Sequence, residues 1–368
     1  MTQSYHMIEY IHEAPQALAR TLETNEIPIQ QLVENVRRRG IQRVLLTGLG
    51  SSYTSALMAA PLFYYHCPLP TRVISSGESI YYADRWVDER TLVVAISRSG
   101  ERGLVVNAMN EAVQRSALSV AITGVADSLL GEKGQVVLIT AEGAEITFPK
   151  TKSVTACTGV LMRLALALAD AQDAQAAERL RLLLEAPKFI QQTLDSLEPV
   201  VRSLLPSLIS QSYVAVVGMG SNYGAAMEGA MKIMEAANVK TRFDGTDGLL
   251  HGPVGGLDAQ SLVIALVTHS DREVSKGLFE VLRSLGARSL CICPPGLELE
   301  GLEDAIVLMP AAFDPLMAGL AYITPLHLLA YYWALARQID PDAPAAMHAI
   351  LGAVLPPGRS EPELRKDR

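Results

Sequence analysis

Short apolar runs that end at glycine or serine alternate along the chain with segments of helical periodicity. In the first half, the runs that predict strands cover residues 43–47, 71–75, 92–96, 118–123 and 135–139. The segments that predict helices cover residues 3–22, 28–39, 53–65, 103–115 and 152–171. Continuously apolar runs of this length are typical of strands buried in a parallel sheet. The alternation therefore predicts an α/β fold with a doubly wound parallel sheet.

The second half of the chain repeats the first at an offset of 170 residues. Residues 44–53 align with 214–223, and residues 92–95 align with 262–265, without a gap. Two further strand segments keep the same offset, so a duplication explains the pattern better than chance. We therefore expect two copies of one three-layer α/β/α domain of the flavodoxin or Rossmann type.

This organisation divides the chain into five segments. We expect N-terminal helices in residues 1–40, a first domain in 41–171, a helical linker in 172–207, a second domain in 208–339 and a tail in 340–368.

Composition narrows the class of protein. The chain has 368 residues, of which 49% are hydrophobic and 19% charged, so two sizeable cores can form. Its net charge of -8 and the absence of a basic patch argue against nucleic acid as a partner. The N-terminus does not read as a signal peptide, and the most apolar helical stretch, residues 161–169, is too short to cross a membrane. We therefore expect a soluble, cytoplasmic protein with no membrane partner.

The four cysteines form no disulfide framework in a chain of this size. Cys291 and Cys293 alternate on a predicted strand, and we expect one to face each side of the sheet, which is poor geometry for a metal. The histidines lack ligand spacing as well, so we predict no metal and no cofactor.

A glycine-rich loop follows the first strand. Gly50, Ser51 and Ser52 stand between that strand and the next helix, where backbone N–H groups and the helix dipole attract an anion. The third glycine of a dinucleotide fingerprint is absent. A tight turn without a ligand is the alternative interpretation.

A second polar loop follows the third strand. It contains two hydroxyls and two guanidiniums, from Ser97, Arg98, Ser99 and Arg102, which suit a tetrahedral anion. A solvated loop in which Glu101 neutralises an arginine is the alternative. Because both loops end neighbouring strands, we favour a ligand site in the first domain.

Charged residues mark the first helix of the second copy, where the first copy is apolar or aromatic. Glu228, Lys232 and Glu235 are four and three residues apart and share one helix face. A surface ion pair is the alternative for the first two. His251, before Gly-Pro, is a candidate acid or base.

These motifs together resemble those of the SIS (sugar isomerase) domain family, and the resemblance covers nearly the whole chain. That family includes the isomerase half of glucosamine-6-phosphate synthase and stand-alone phosphosugar isomerases and deaminases. The matching segments are the two polar loops, the loop at residues 145–152, the face of residues 228–235, and residues 251–253.

The resemblance implies a role for each matching residue. The residues that would bind an anionic group at C6 of a sugar are Ser52, Ser97, Arg98 and Ser99. Glu235 would move a proton between C1 and C2, and Lys232 would support the protons on the oxygens. His251 would assist ring opening, and in this family it can reach the site from the partner subunit.

Further candidates for substrate binding are Gly50, Ser51, Lys150, Glu228 and His348. In three respects the chain departs from the family. Arg102 replaces a small hydroxyl residue, which would suit a sulfonate or a second acidic group on the substrate. The C-terminal lysine that forms a Schiff base is missing from residues 346–350, where His348 stands. No glutaminase segment is present, so we do not expect glutamine-dependent synthesis of glucosamine 6-phosphate.

We therefore predict an aldose–ketose isomerase, with or without release of an amine, that acts on a small anionic sugar. The alternatives are an isomerase of a sulfonated sugar, a fructosamine-6-phosphate deglycase, and a sugar-phosphate sensor without turnover. The shared His251 and the apolar segment 316–336 also predict a homodimer.

Overall fold

Ten apolar segments pair as two five-stranded parallel sheets in the computed structural model, which describes residues 5–101 and 103–344 apart from the side chains at 80 and 82–84. The first sheet consists of β1 Arg43–Gly48, β2 Thr71–Ser75, β3 Thr91–Ile96, β4 Leu118–Thr123 and β5 Val136–Ile139. The second consists of β6 Tyr213–Gly218, β7 Lys240–Asp244, β8 Ser261–Leu266, β9 Arg288–Cys293 and β10 Ala305–Leu308. Corresponding strands lie 169 or 170 residues apart, as the internal repeat predicts.

The two sheets have the same strand order, β2-β1-β3-β4-β5 and β7-β6-β8-β9-β10. All six residues of β3 and all six of β8 are buried, because helices cover both faces of each sheet. The prediction of two duplicated doubly wound α/β domains is confirmed.

Helices of both halves cover these sheets. Before and within the first half they are α1 His6–Thr24, α2 Glu26–Arg39, α3 Ser51–His66, α4 Ser76–Trp86, α5 Gly103–Gln114, α6 Leu129–Lys133 and α7 Lys152–Ala167. The later ones are α8 Ala174–Leu204, α9 Ser221–Ala237, α10 Thr246–Leu250, α11 Arg272–Leu285 and α12 Ala318–Ala336. Helix α8 falls inside the predicted linker, while the domain boundaries themselves stay predictions.

Several helix ends differ from the expectation. Helix α3 begins at Ser51, two residues before the predicted start, and α2 begins at Glu26. Helix α4 was not predicted, because its Ser-Gly start has low helix propensity. It starts directly after β2 and is stabilised by packing against α5.

The expected orientation of two cysteines is wrong. Cys291 and Cys293 are both buried in the same core cluster of the second domain, because residues two apart on a strand face the same side. The hydrogen bond to Cys293 and burial raise the pKa of the Cys291 thiol. Both thiols are therefore inert packing groups.

Helix α12 is apolar because it packs inside the chain. Its residues are almost all buried, and it contacts α9 and α8. The apolar segment 316–336 therefore does not support a dimer surface, contrary to the expectation. No helix in the parts of the chain described above is long and apolar enough to cross a membrane.

The two domains meet where α3 lies against α9. A Cβ on Gly224 of α9 would lie 2.6 Å from the backbone nitrogen of Met58 and 2.9 Å from the carbonyl oxygen of Thr54. One hydrophobic cluster, which includes α3, α7, α9 and α12, runs through both domains. The close contact between α3 and α9 therefore requires glycine at position 224.

We predict that Gly224→Ala destabilises the protein, because its methyl group meets backbone atoms of α3 that cannot move aside. Overpacking of this kind costs about 1–3 kcal/mol, to be measured by urea denaturation. Gly277→Ala, in α11 with nothing within 4 Å of the added methyl group, is the matched control. It should stabilise the protein by about 0.5–1 kcal/mol. Equal stability of the two variants would contradict the close α3–α9 contact.

Candidate functional site

A cluster of three charged residues lies along one face of α9. Glu228 and Lys232 are buried, and the side chain of Glu235 is 16% exposed. Lys232 Nζ forms an ion pair with Glu235 Oε2 and lies 3.5 Å from Glu228 Oε1. The alternative of a surface pair is therefore wrong, because solvent does not reach the first two residues.

Helix α3 of the first domain supplies hydrogen bonds to this cluster. Thr54 Oγ1 donates to Glu228 Oε2 at 2.6 Å, and Ser51 Oγ donates to Glu228 Oε1 at 3.1 Å. Ser51 was expected among the substrate-binding residues. Its hydroxyl here donates to Glu228, and its role in substrate binding stays a prediction. Thr54 was not anticipated, since nothing in the sequence pairs α3 with α9.

The surroundings push the pKa values of the two carboxyls apart. Burial alone raises the pKa of Glu228, but Lys232, His327 and Thr54 outweigh it and lower that pKa to about 2. Burial raises the pKa of Glu235 above the ordinary value, against the opposing charge of Lys232. Glu228 is thus ionised at neutral pH, while the pKa of Glu235 lies closer to neutrality than that of an ordinary glutamate.

The ammonium of Lys232 stays charged. Burial lowers its pKa, but Glu228 and Glu235 outweigh burial and raise it above the usual value. A lysine in this state holds a negative oxygen and is not a nucleophile.

The two polar loops of the first domain meet at one sheet edge. Strands β1 and β3 pair so that Gly48 lies beside Ile96, and the loops that follow carry Ser52 and Ser97. Ser97 is buried and its Oγ accepts the N–H of Gly100 at 3.2 Å. The parallel register thus places the two loops side by side, as expected for the ends of neighbouring strands.

Arg98 points to a carboxylate that the sequence did not reveal. Its Nε lies 3.1 Å from Glu142 Oε1, and its Nη2 donates to the carbonyl of Gly143 at 3.2 Å. Glu142 is buried, and burial raises its pKa, with Arg98 opposing. Glu142 already balances the charge of Arg98, so this geometry adds no support for Arg98 as an anion ligand. That interpretation stays a prediction.

The loop before α7 is held in place by its own charges. Glu145 Oε1 accepts the N–H groups of Thr151 at 2.7 Å and of Lys152 at 3.1 Å, which caps the helix. Lys150 Nζ donates to the carbonyls of Glu145 and Thr147, and its charge lowers the pKa of Glu235. Lys150 therefore lies within electrostatic reach of the α9 cluster, and its role in substrate binding stays a prediction.

Other predicted residues are not brought together in one chain. His251 is exposed at the end of α10, and within residues 5–101 and 103–344 its ring forms no hydrogen bond or ion pair with Glu235. Arg102 and His348 lie outside the described residues. Ser99 is half-buried, and its Oγ accepts the N–H of Glu101 at 3.4 Å.

A buried histidine completes the cluster. His327 of α12 is 2% exposed, and its Nε2 lies 3.8 Å from Glu228 Oε1. In the sequence it is a single histidine in an apolar helix, for which a structural role is the ordinary interpretation.

Comparisons with known proteins match most of the length of the chain. The family model of the SIS domain matches residues 39–167 and 207–337. The chain is 31% identical over 344 residues to the glutamine–fructose-6-phosphate aminotransferase [isomerizing] of Methanothermobacter thermautotrophicus, which covers 92% of this chain and 56% of the relative. For the protein of the same name from Caldanaerobacter subterraneus the identity is 28% over 351 residues, with 92% and 57% covered. The chain thus spans about half the length of the curated relatives it matches.

Solved structures share the fold. The C-terminal domain of glucosamine-fructose-6-phosphate aminotransferase from Francisella tularensis has a TM-score of 0.81 at 21% identity, over 93% of this chain and 98% of that one. Tagatose-6-phosphate ketose/aldose isomerase from Escherichia coli has a TM-score of 0.80 at 19% identity, over 96% and 97%.

We predict that Thr54→Val destabilises the protein by about 1–3 kcal/mol, because it leaves a buried carboxylate oxygen without its shortest hydrogen bond. Thr158→Val is the matched control: Thr158 is equally buried, but its hydroxyl has no hydrogen-bond partner. The control should be neutral or stabilising in thermal denaturation. Equal losses in both variants would mean that the Thr54 hydroxyl does not stabilise Glu228.

Proposed function

The chain belongs to the SIS domain family, and we propose that it is an enzyme that isomerises a small anionic sugar, such as a sugar 6-phosphate, through a cis-enediol. The observation that carries the proposal is the pair of unlike carboxyls on α9, in which Glu235 can exchange a proton beside a permanently charged lysine. The names of the relatives support the same class of substrate, since they act on fructose 6-phosphate or tagatose 6-phosphate.

The reaction needs one base that acts on two neighbouring carbons. In the open-chain sugar, the carboxylate of Glu235 takes the proton from C2 of an aldose while the carbonyl oxygen at C1 gains a proton. The resulting enediol takes the proton back at C1 as the oxygen at C2 loses its own, which yields the ketose. Lys232 stabilises the negative charge that develops on the oxygens. Because Lys232 stays an ammonium, the step uses no Schiff base on this residue.

The first domain would hold the anionic end of the sugar. Ser52 follows β1, Ser97 and Ser99 follow β3, and both loops end neighbouring strands. Backbone N–H groups at the start of α3, next to Gly50, add positive charge without a side chain. Arg98 and Arg102 are further candidates for this anion.

Ring opening and assembly are linked in this proposal. His251 is exposed and separate from Glu235 in its own chain, so it fits a role in the site of a second copy. A homodimer in which each copy lends His251 to the other is the arrangement that we propose.

We predict that Glu235→Gln binds the sugar but exchanges the proton next to the carbonyl group, on C2 of an aldose or C1 of a ketose, about 100- to 10,000-fold more slowly, because the amide cannot accept the proton. Exchange is measured by NMR in D₂O with fructose 6-phosphate, glucose 6-phosphate, glucosamine 6-phosphate, a fructosamine 6-phosphate and a sugar sulfonate. Glu185→Gln, an exposed residue of α8, is the control.

The pH dependence of the wild-type protein adds a second check. The base works only when ionised, and burial raises the pKa of Glu235, so exchange should increase with pH through a midpoint above that of an ordinary glutamate. Normal exchange in Glu235→Gln would move the base elsewhere, with His251 next. No exchange in the wild type with any of the five sugars would favour a sensing protein.

We predict one anion site per chain, in the first domain. In the second copy Asn222 stands at the place of Ser52, and its amide donates to the carbonyl of Leu266 at 3.2 Å. The loop of that copy is filled by Asp271, which accepts from Thr268. Calorimetric titration with fructose 6-phosphate should therefore give one site per chain.

The same site predicts a split in the kinetics. Ser52→Ala should raise KM about 10-fold or more while kcat stays nearly unchanged, because the anionic group is remote from C1 and C2. Ser270→Ala, an exposed serine of the second copy, should change neither. Two equivalent sites, or a larger effect at Ser270, would contradict the assignment.

A further inference from the structure

The most unusual group near the α9 cluster is a buried histidine whose ring nitrogen has no hydrogen bond. His327 is 2% exposed, and its Nε2 is buried without a partner within hydrogen-bond distance among the described residues. A buried polar group without a partner costs about 1–3 kcal/mol. Such a group calls for an explanation, and the nearest charge to it is Glu228 Oε1 at 3.8 Å.

The surroundings of this nitrogen decide which tautomer fits. An unprotonated Nε2 would turn its lone pair toward a carboxylate, which is repulsive, so the proton belongs on Nε2. The distance of 3.8 Å is about 0.9 Å longer than an ordinary N–H···O hydrogen bond. His327 thus acts on Glu228 through the dipole of its Nε2–H, and a small shift of α12 would complete a hydrogen bond.

Three groups that carry N–H or O–H bonds surround Glu228 Oε1. Ser51 Oγ lies at 3.1 Å, Lys232 Nζ at 3.5 Å and His327 Nε2 at 3.8 Å. Lys232 lies closer to Glu235 than to Glu228. Because Ser51 and His327 also surround Glu228 Oε1, Lys232 can lie closer to Glu235 than to Glu228.

We propose that His327 is a positioning residue for the base: the dipole of its Nε2–H, 3.8 Å from Glu228 Oε1, stabilises that carboxylate and so leaves Lys232 on Glu235. The role rests on the proposed function, in which Glu235 moves the proton, and extends it to a residue that does not touch the sugar. If His327 is removed, Lys232 is drawn to Glu228, and Glu235 loses the charge that keeps it ionised.

The charged groups around the base define the expected shift. Lys232 and Glu228 face Glu235 from its own helix, and Lys150 faces it from the loop before α7. From α12, His327 faces Glu228. Loss of His327 weakens the hold of Lys232 on Glu235, so the pKa of Glu235 should rise.

The test compares three substitutions at one position. The side-chain amide of Gln places an N–H near the Nε2 of histidine, that of Asn places it near Nδ1, and Leu has none. His327→Gln should therefore retain the wild-type behaviour, whereas His327→Asn and His327→Leu should lose it. Thr324→Val, a buried residue one turn earlier on α12, is the control for packing.

The first readout needs no substrate. In protein labelled with ¹³C at the glutamate carboxyls, and with Glu235 assigned by comparison with Glu235→Gln, the titration midpoint of Glu235 should rise by about one unit in the Asn and Leu variants. It should stay at the wild-type value in the Gln and Thr324→Val variants. Should the Leu variant fail to fold, the Gln and Asn variants decide the question alone.

The second readout is exchange of a C1 proton of fructose 6-phosphate with solvent deuterium, since C2 of this ketose carries no proton. Below the midpoint, the Asn variant should exchange about tenfold more slowly, which corresponds to the shift of one unit, with KM unchanged. A wild type that exchanges no sugar, together with a shifted Glu235 midpoint, would refute the proposed function and support the positioning role. Identical midpoints in the Gln and Asn variants would overturn the positioning role.

Discussion

A buried ion cluster between two domains is the constraint on which the rest of this structure depends. Removing a charge from water costs several kcal/mol, which is offset only when the charge is paired and hydrogen-bonded. On α9, Lys232 is shared by Glu228 and Glu235, and the hydroxyls that complete Glu228 come from α3 of the other domain. The burial of Glu228 thus uses groups from both domains. The close α3–α9 contact at Gly224 is therefore a condition for the site as well as for the fold.

The duplication explains how one fold supplies two different halves. At the positions that correspond to Glu228 and Lys232, the first copy has Met58 and Leu62, which are buried in the common core. The same helix thus packs as an apolar element in one domain and carries the charges in the other. Conversely, the first copy has hydroxyls after its strands, whereas in the second copy the side chain of Asn222 forms a hydrogen bond with the backbone of its own domain.

The sequence predicted the parts of the site that depend on short spacing. The loops after β1 and β3 converge because parallel pairing places Gly48 beside Ile96, and three charges share a face of α9 because of the helical period. It did not predict where individual side chains point. The guanidinium of Arg98 meets Glu142, and the hydroxyl of Ser51 meets Glu228, because these partners lie 44 and 177 residues away along the chain.

The sequence by itself determined two α/β domains of equal topology, since strand and helix periods and the offset of 170 residues are local or repetitive patterns. It also determined which residue types stand at the ends of the strands. Only the tertiary structure decided that Glu228 is ionised while Glu235 can titrate, and that His327 from α12 faces the first of them. The physical reason is that a pKa depends on burial and on the distance to other charges. Both arise when distant segments pack together.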